Sequence, residues 1–417
     1  MLICVIIVSY RKDKTIKKIY KILLILLLVI ISLSTTSYFL LKNPNIQNYL
    51  VDKLTNIFSR ELETKFQVDN ANFKLFNELT LEGVYIEDQA GDSLLTSPKI
   101  TGHLKLLDLR DRKLFFKKLE IENARIYLRN DTTKNINIEF LIEALKRKDT
   151  TKAKMHTKFG DICITNSQFS YTTNRPAKND YGIDFNRVKL DSFNLHVENF
   201  DADSGKINFN LSEISFQDKS GFELLDMHTE MFLHPEEGGF RKLVIRTPYS
   251  FINADSVILK HGGYEQFDDF ISKVKLNVAI KRSNLGFHDL AYFAKPFHGG
   301  PNHNFVFSGT VRGSINSLRG SDVYAAMGNQ TEIQTSFNTD GLPEFSETYL
   351  YVDIDRFRTG VDDLEVLNSL LPDSKSITVP ENLSNLGIIR YSGNFTGFSD
   401  DFVAYGNLKT EMGEIST

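Results

Sequence analysis

The chain is 417 residues long, with 41% hydrophobic, 24% charged and 12% aromatic residues and a formal net charge of −4. This balance excludes a disordered chain and a polytopic membrane protein, and no basic excess exists to neutralise a nucleic-acid backbone. Two cysteines exclude a disulfide framework and a four-thiolate metal site, while 32 Phe and 16 Tyr without a Trp point to a β-rich chain.

The N-terminus departs from the average. Residues 1–21 are basic and carry Arg11, Lys12, Lys14, Lys17, Lys18 and Lys21. Residues 22–41 hold no charge and suffice to cross ~30 Å of hydrocarbon as a helix. Only Lys42 follows closely, so the positive-inside bias puts the N-terminus in the cytoplasm and the bulk across the membrane. The run is too long for the apolar part of a cleaved signal peptide, and no A-x-A site follows it. An uncleaved, single-pass transmembrane anchor is expected.

Asn43 and Pro44 are a helix cap and a first helical residue. Ile46, Leu50, Leu54, Ile57, Phe58 and Leu62 then recur every three or four residues, predicting an amphipathic helix over 43–65. Its stripe needs a partner and a β-rich region follows at once, so packing against the end of that region is favoured over lying on the membrane surface.

From Phe66 onward the period is two. Leu79 and Leu81, Leu104 and Leu106, Leu119 and Ile121, and Ile126 and Leu128 alternate with polar residues, with Gly83 marking a bulge and Tyr85 re-entering the pattern. Short alternating runs follow at 162–164, 169–171, 183–185, 188–190, 193–197, 207–211, 243–245, 257–259, 274–280 and 349–351. Many half-apolar strands separated by polar turns predict antiparallel sheet with one dry face. Alternation alone leaves open whether that face closes into a sandwich or lines a groove. Short helices are expected over 137–145, over 283–295 with Ser283 as cap, and over 362–371 before Pro372. The polar stretch 146–158 reads as a linker between a β unit at 66–145 and a repetitive region at 159–417.

An internal repeat supports the elongated reading. Phe307, Gly309, Val311 and Gly313 parallel Tyr391, Gly393, Phe395 and Gly397, a period near 84 residues. The block from Gly328 is aligned with the block from Gly406. Repetition of this kind implies units stacked along one axis. The chain stops at Thr417 just after the second copy, so it is expected to be the N-terminal part of a longer protein.

Chemistry-bearing residues form no convincing constellation. The nine histidines are scattered, and the nearest pair, His298 and His303, lacks a third metal ligand. Asp201 with Asp203 and Asp353 with Asp355 lack the Gly and distal Glu of a calcium loop. No P-loop, dinucleotide fingerprint or Gly-x-Ser-x-Gly elbow occurs. Cys163, between Ile162 and Ile164, is expected on the polar side. No enzyme activity, metal or cofactor is expected.

The segments Leu79-Thr80-Leu81-Glu82-Gly83-Val84-Tyr85-Ile86-Glu87-Asp88, Gly91-Asp92-Ser93-Leu94-Leu95 and Leu119-Glu120-Ile121-Glu122-Asn123-Ala124-Arg125-Ile126-Tyr127-Leu128 carry a family resemblance. With the helix at 135–145 and the late Gly-x-x-x-Gly strands, they resemble the AsmA/TamB superfamily, most closely its TamB-type members from Bacteroidetes. The resemblance implies a long β-sheet curled into an apolar groove, anchored in the bacterial inner membrane and extending through the periplasm. It also implies phospholipid transport toward the outer membrane, with an Omp85-class outer-membrane partner that would act through C-terminal residues this chain lacks. The expected lining is the apolar phase of the strands: Leu119, Ile121, Phe169, Phe193, Leu195, Leu276 and Val278. The alternative is a non-enzymatic scaffold that assists secretion or assembly of outer-membrane β-barrels and autotransporters by strand pairing. About 20 strands would extend on the order of 100 Å.

Overall fold

The computed structural model describes residues 44–417 except 75–76, 109–112, 131–135, 142–155, 177–181, 204, 299–302 and 370–385, together with residues 21, 24–29, 32, 35 and 36. Those last residues are helical, and the side chains of 24–29 are each more than half exposed. Most of the expected anchor at 22–41 lies outside the described residues. Among the described residues no helix is long and apolar enough to cross a membrane.

The elements that position the candidate site are four helices and twenty strands among the described residues. Helix α1 (Pro44–Leu62) leads to β1 (Phe66–Gln67), β2 (Asn70–Lys74), β3 (Glu78–Glu87), β4 (Ser93–Asp108), β5 (Lys113–Glu122) and β6 (Arg125–Asn130). Then come β7 (His156–Thr173), β8 (Arg187–Asp203), β9 (Lys206–Asp218), β10 (Glu223–Leu233), β11 (Glu237–Arg246) and β12 (Phe251–Lys260). Helix α2 (Phe270–Lys273), β13 (Lys275–Gly286), α3 (Phe287–Leu290), β14 (Asn304–Ser314), β15 (Ser317–Met327) and β16 (Thr331–Asp340) follow. The last elements are β17 (Tyr349–Thr359), α4 (Val361–Ser369), β18 (Ile389–Gly397), β19 (Phe402–Thr410) and β20 (Gly413–Ser416).

All twenty strands belong to one sheet. From β7 to β20 each strand pairs antiparallel with the next. The alternation breaks at one place. β5 and β6 both pair antiparallel with β4, and both run parallel to β7. The sheet therefore continues across the stretch 146–158, whose last three residues already belong to β7.

Helix α1 forms where the 3.6-residue period predicted it, and it packs on the sheet's first edge. Val51, Phe58 and Leu62 lie against Phe66, Val68, Ala71, Leu79, Leu81 and Val84, with the Phe58 and Phe66 rings 5.0 Å apart. A second core joins Ile121, Ala124, Ile164, Leu190 and Phe193.

Bulges set the shape of the strands. Asn166 in β7 and Ser192 in β8 adopt positive φ of 47° and 51°. Apolar residues precede each at even positions (Ile162 and Ile164; Val188 and Leu190) and follow at odd ones (Phe169 and Tyr171; Phe193, Leu195 and Val197). One extra residue switches the phase while the face is kept. Runs that read as separate short strands in the sequence are thus single long strands. Gly83 does the same in β3, but Val84, rather than Tyr85, re-enters the buried face. Register shifts recur near mid-strand through β17–β18.

A bulge leaves backbone groups without a ladder partner, and buried hydroxyls serve them. Ser97, Ser167, Thr229, Ser283 and Thr335 are all buried and sit in β4, β7, β10, β13 and β16, one in every third strand. Ser97 Oγ reaches the Glu122 carbonyl at 3.0 Å and Thr229 Oγ1 the Arg241 carbonyl at 2.9 Å. Thr335 Oγ1 donates to the Asp353 carbonyl at 2.7 Å. Ser167 Oγ accepts from Ala124 N–H and Ser283 Oγ from Asn253 N–H, both at 2.9 Å. The backbone served lies alternately on the following and the preceding side of the strand.

The expected helix at 283–295 is helical only in part. Ser283 and Leu285 continue β13 past its bulge, and the helix is the short α3 alone. The expected strand at 183–185 is a connection instead. The third predicted helix is present as α4; of the first, residues 139–141 are helical and 142–145 lie outside the described residues.

The hairpin between β3 and β4 is pinned by Asp88. Its buried carboxylate accepts from the backbone N–H groups of Ala90 and Asp92, both at 3.0 Å, and from Arg129 and Asn137 at 2.8 and 3.0 Å. Burial alone would raise its pKa. The bonds from Asn137, Asp92 and Ala90 and the charge of Arg129 outweigh that and hold it below the ordinary 3.8. A lowered folded-state value adds stability above the unfolded-state value, and this is lost as pH falls through the lower folded-state value. Denaturant titrations should therefore show wild type losing stability on acidification relative to Asp88→Asn. Ser167→Ala, which strands the Ala124 N–H, should lower stability at neutral pH by about 1–3 kcal/mol in the same measurement.

Candidate functional site

Cross-strand partners share a face of a sheet, so the register shows what each face is made of. One row runs Ala71, Leu81, Ile100, Ile121, Ile164, Leu195, Ile214, Met227, Ile245 and Ile252, from β2 to β12. A second runs Phe209, Met231, Phe240, Val257, Val278, Val311, Gly320, Phe337, Val352, Phe395 and Ala404, from β9 to β19. Neither row contains a polar side chain. Large and small residues alternate where the row passes glycine: a Cβ on Gly320 would lie 2.3 Å from the Phe337 ring, which covers that place.

The structure places all seven expected lining residues in strands on this face. Leu119, Ile121, Phe169, Phe193 and Leu195 meet in the second core cluster, where Ile121 and Phe193 are buried. Leu276 and Val278 lie farther along the sheet, beside Leu259 and Val257. From β13 onward most inward residues, such as Leu276, Val278, Ile280, Phe307 and Val311, are half-buried, while Met327 is buried. Phe240, Phe337 and Phe395 belong to the same face but were not among the expected lining residues. Bulges and glycines interrupt the alternation around them.

At one rim a folded-back segment covers part of the face. Ile183 N–H donates to the Tyr292 carbonyl at 3.0 Å. The Phe222 ring, in the β9–β10 turn, lies 5.6 Å from Tyr292 and 5.3 Å from Phe293. The segment after α3 thus reaches back over the ends of β9 and β10 to meet the β7–β8 connection.

The opposite face is polar. Glu120, Cys163, His196 and Glu213 form one cross-strand row on it, as expected for Cys163. Burial raises the Cys163 thiol above its ordinary pKa, so it is a poor nucleophile at neutral pH. Asp353 and Asp355 are exposed on the same face of β17, and Asp353 accepts from Asn394 at 2.9 Å. Among the described residues no group of three His, Cys, Asp or Glu is placed to hold a metal ion.

The repeat has a structural counterpart in its first block only. Gly309 and Gly393 sit at equivalent inward positions of β14 and β18, with φ of 138° and 149°. A Cβ on Gly393 would lie 2.0 Å from the Tyr405 carbonyl oxygen of β19. The second block does not correspond: Gly328 lies in the β15–β16 turn, whereas Gly406 is inside β19 and pairs with Gly393. Comparison with protein-family models, curated proteins and solved structures finds no match for this chain.

Gly393→Ala should separate β18 from β19 locally. We expect a loss of about 1–3 kcal/mol by denaturant titration and faster amide exchange in those two strands alone.

Proposed function

We propose that the sheet curls into a groove whose apolar face carries the acyl chains of phospholipid, in a protein held in the bacterial inner membrane by residues 22–41 and reaching across the periplasm toward the outer membrane. The observation that carries this reading is the pair of uninterrupted apolar rows on one face of a single sheet. Most side chains on that face from β13 onward, such as Leu276, Val278, Ile280, Phe307 and Val311, stay half-accessible, as a lining does, rather than sealed, as a sandwich core is.

The energetics fit a carrier. Each CH₂ group removed from water contributes roughly 0.8 kcal/mol, so one acyl chain would be held firmly. With no fixed polar group in the rows, nothing would pin the chain at one strand, and neighbouring strands offer equivalent places about 4.8 Å apart. β1 and β2 share one place along the sheet, as do β5 and β6, so its length is on the order of 80 Å. The resemblance to TamB-type sequences agrees with this reading and motivates the choice of phospholipid as cargo.

The bulge line supports the curl. Bulges bend strands and increase twist, and here they recur at similar height in successive strands.

The test is a charge on the face. Leu276→Asp combined with Val278→Asp should leave the circular-dichroism spectrum unchanged, abolish phospholipid co-purification and disturb outer-membrane lipid homeostasis. Full lipid content and normal homeostasis in that variant would sink the proposal. A photo-crosslinker at Val278 or Phe337 separates it from the scaffold reading: lipid adducts support the groove, and adducts with outer-membrane protein strands support edge pairing.

A further inference from the structure

The rim opposite the Tyr292 segment carries a cleft of about 890 Å³. It is bounded by the β8–β9 turn, the β10–β11 turn and the connection from β12 to β13, and Lys206, Lys260, Lys273 and Lys275 line it with Glu236 and Glu237. Cations outnumber carboxylates there, in a chain whose net charge is −4.

Lys260 and Lys275 are direct register partners at the end of the β12–β13 ladder. Like charges in that relation destabilise a sheet. Lys273 has Asp269 at 3.6 Å and Lys260 has Glu237 as its register partner on the other side, but Lys260 and Lys275 make no ion pair among the described residues. Lys275 has a lysine and no carboxylate across from it in the β12–β13 ladder, which leaves room for a counter-ion from outside.

Its position is equally specific. A third inward row runs Ile207, Leu233, Gly238, Leu259 and Leu276. Lys206, His234, Glu237, Lys260 and Lys275 are the immediate chain neighbours of those five residues. The cleft therefore begins one residue, roughly 3.3 Å along the strand, beyond the last apolar row, at the rim where Lys260 and Lys275 turn to the outer side of the sheet.

We propose that this cleft binds a phosphate group, gripped chiefly between Lys260 and Lys275. Ammonium groups on flexible stems suit a phosphate as point charges. A lipid headgroup as the source rests on the groove reading above; the phosphate chemistry does not.

Full-length protein in non-ionic detergent is titrated with inorganic phosphate and, in a second arm, with dioleoylphosphatidic acid in the same micelles, and binding is followed by phosphorus NMR. Lys260→Gln combined with Lys275→Gln should weaken binding roughly tenfold or more, and Lys260→Arg should retain it. Binding of phosphatidic acid alone identifies a headgroup site, and binding of both probes identifies a general phosphate site. If wild type binds neither, or if the double variant binds both as well as wild type does, the proposal fails. The variant Val278→Asp keeps the two readings apart: loss of phosphatidic acid with inorganic phosphate still bound supports a groove-held lipid with its headgroup in the cleft, whereas undiminished phosphatidic acid binding discards the groove-held headgroup source and leaves the phosphate cleft intact.

Discussion

The backbone's demand for hydrogen-bond partners governs this sheet. A face built of Ile, Leu, Val and Phe excludes water, so every amide or carbonyl released by a bulge must find a partner within the protein. Ser97, Ser167, Thr229, Ser283 and Thr335 meet that demand one strand in three. They are buried polar residues in an apolar setting, yet each is tied to the backbone of a neighbouring strand. Without them the bulges would be too costly to keep, and without the bulges the strands would lose the bend and the phase switch that keep their apolar residues on one side.

That division of faces separates the chemistry of the molecule into zones. The apolar rows hold no titratable group, and the outer face holds Glu120, Cys163, His196, Glu213, Asp353 and Asp355. The two rims differ in kind: aromatic residues of the Tyr292 segment fold over one, and lysines gather at the other. An amphipathic molecule laid across the face would therefore meet unlike surroundings at its two ends.

Local signals in the sequence were reliable and long-range ones were not. The stripe from Ile46 to Leu62 marked α1, and alternation marked the β class and the dry face. The conspicuous motif around Asp88 proved to be a turn held by that carboxylate. What escaped has one main cause, which is that a bulge changes parity. Val188 to Val197 looked like two strands because Ser192 breaks the alternation, and Ser283 looked like a helix cap because the bulge before it hides the continuation of β13. The second repeat block matched by composition alone, since a Gly-Asn pair suits both a turn and a strand interior. The lysine cleft left no local trace, because its residues come from three separate connections. No period in the sequence announces the parallel step at β7 either.

That parallel step has a consequence for the rest of the sheet. In a meander, turns fall alternately on the two rims, so a strand's parity in the order decides which rim its loop occupies. Along the described ladders polarity alternates everywhere else, and β7 repeats the direction of β5 and β6. The single crossing from β6 to β7 thus acts as a parity switch. Replace it by an ordinary hairpin, and every later strand reverses. The Tyr292 segment and the lysine cleft would trade sides with all their neighbours, though no residue after Thr173 had changed.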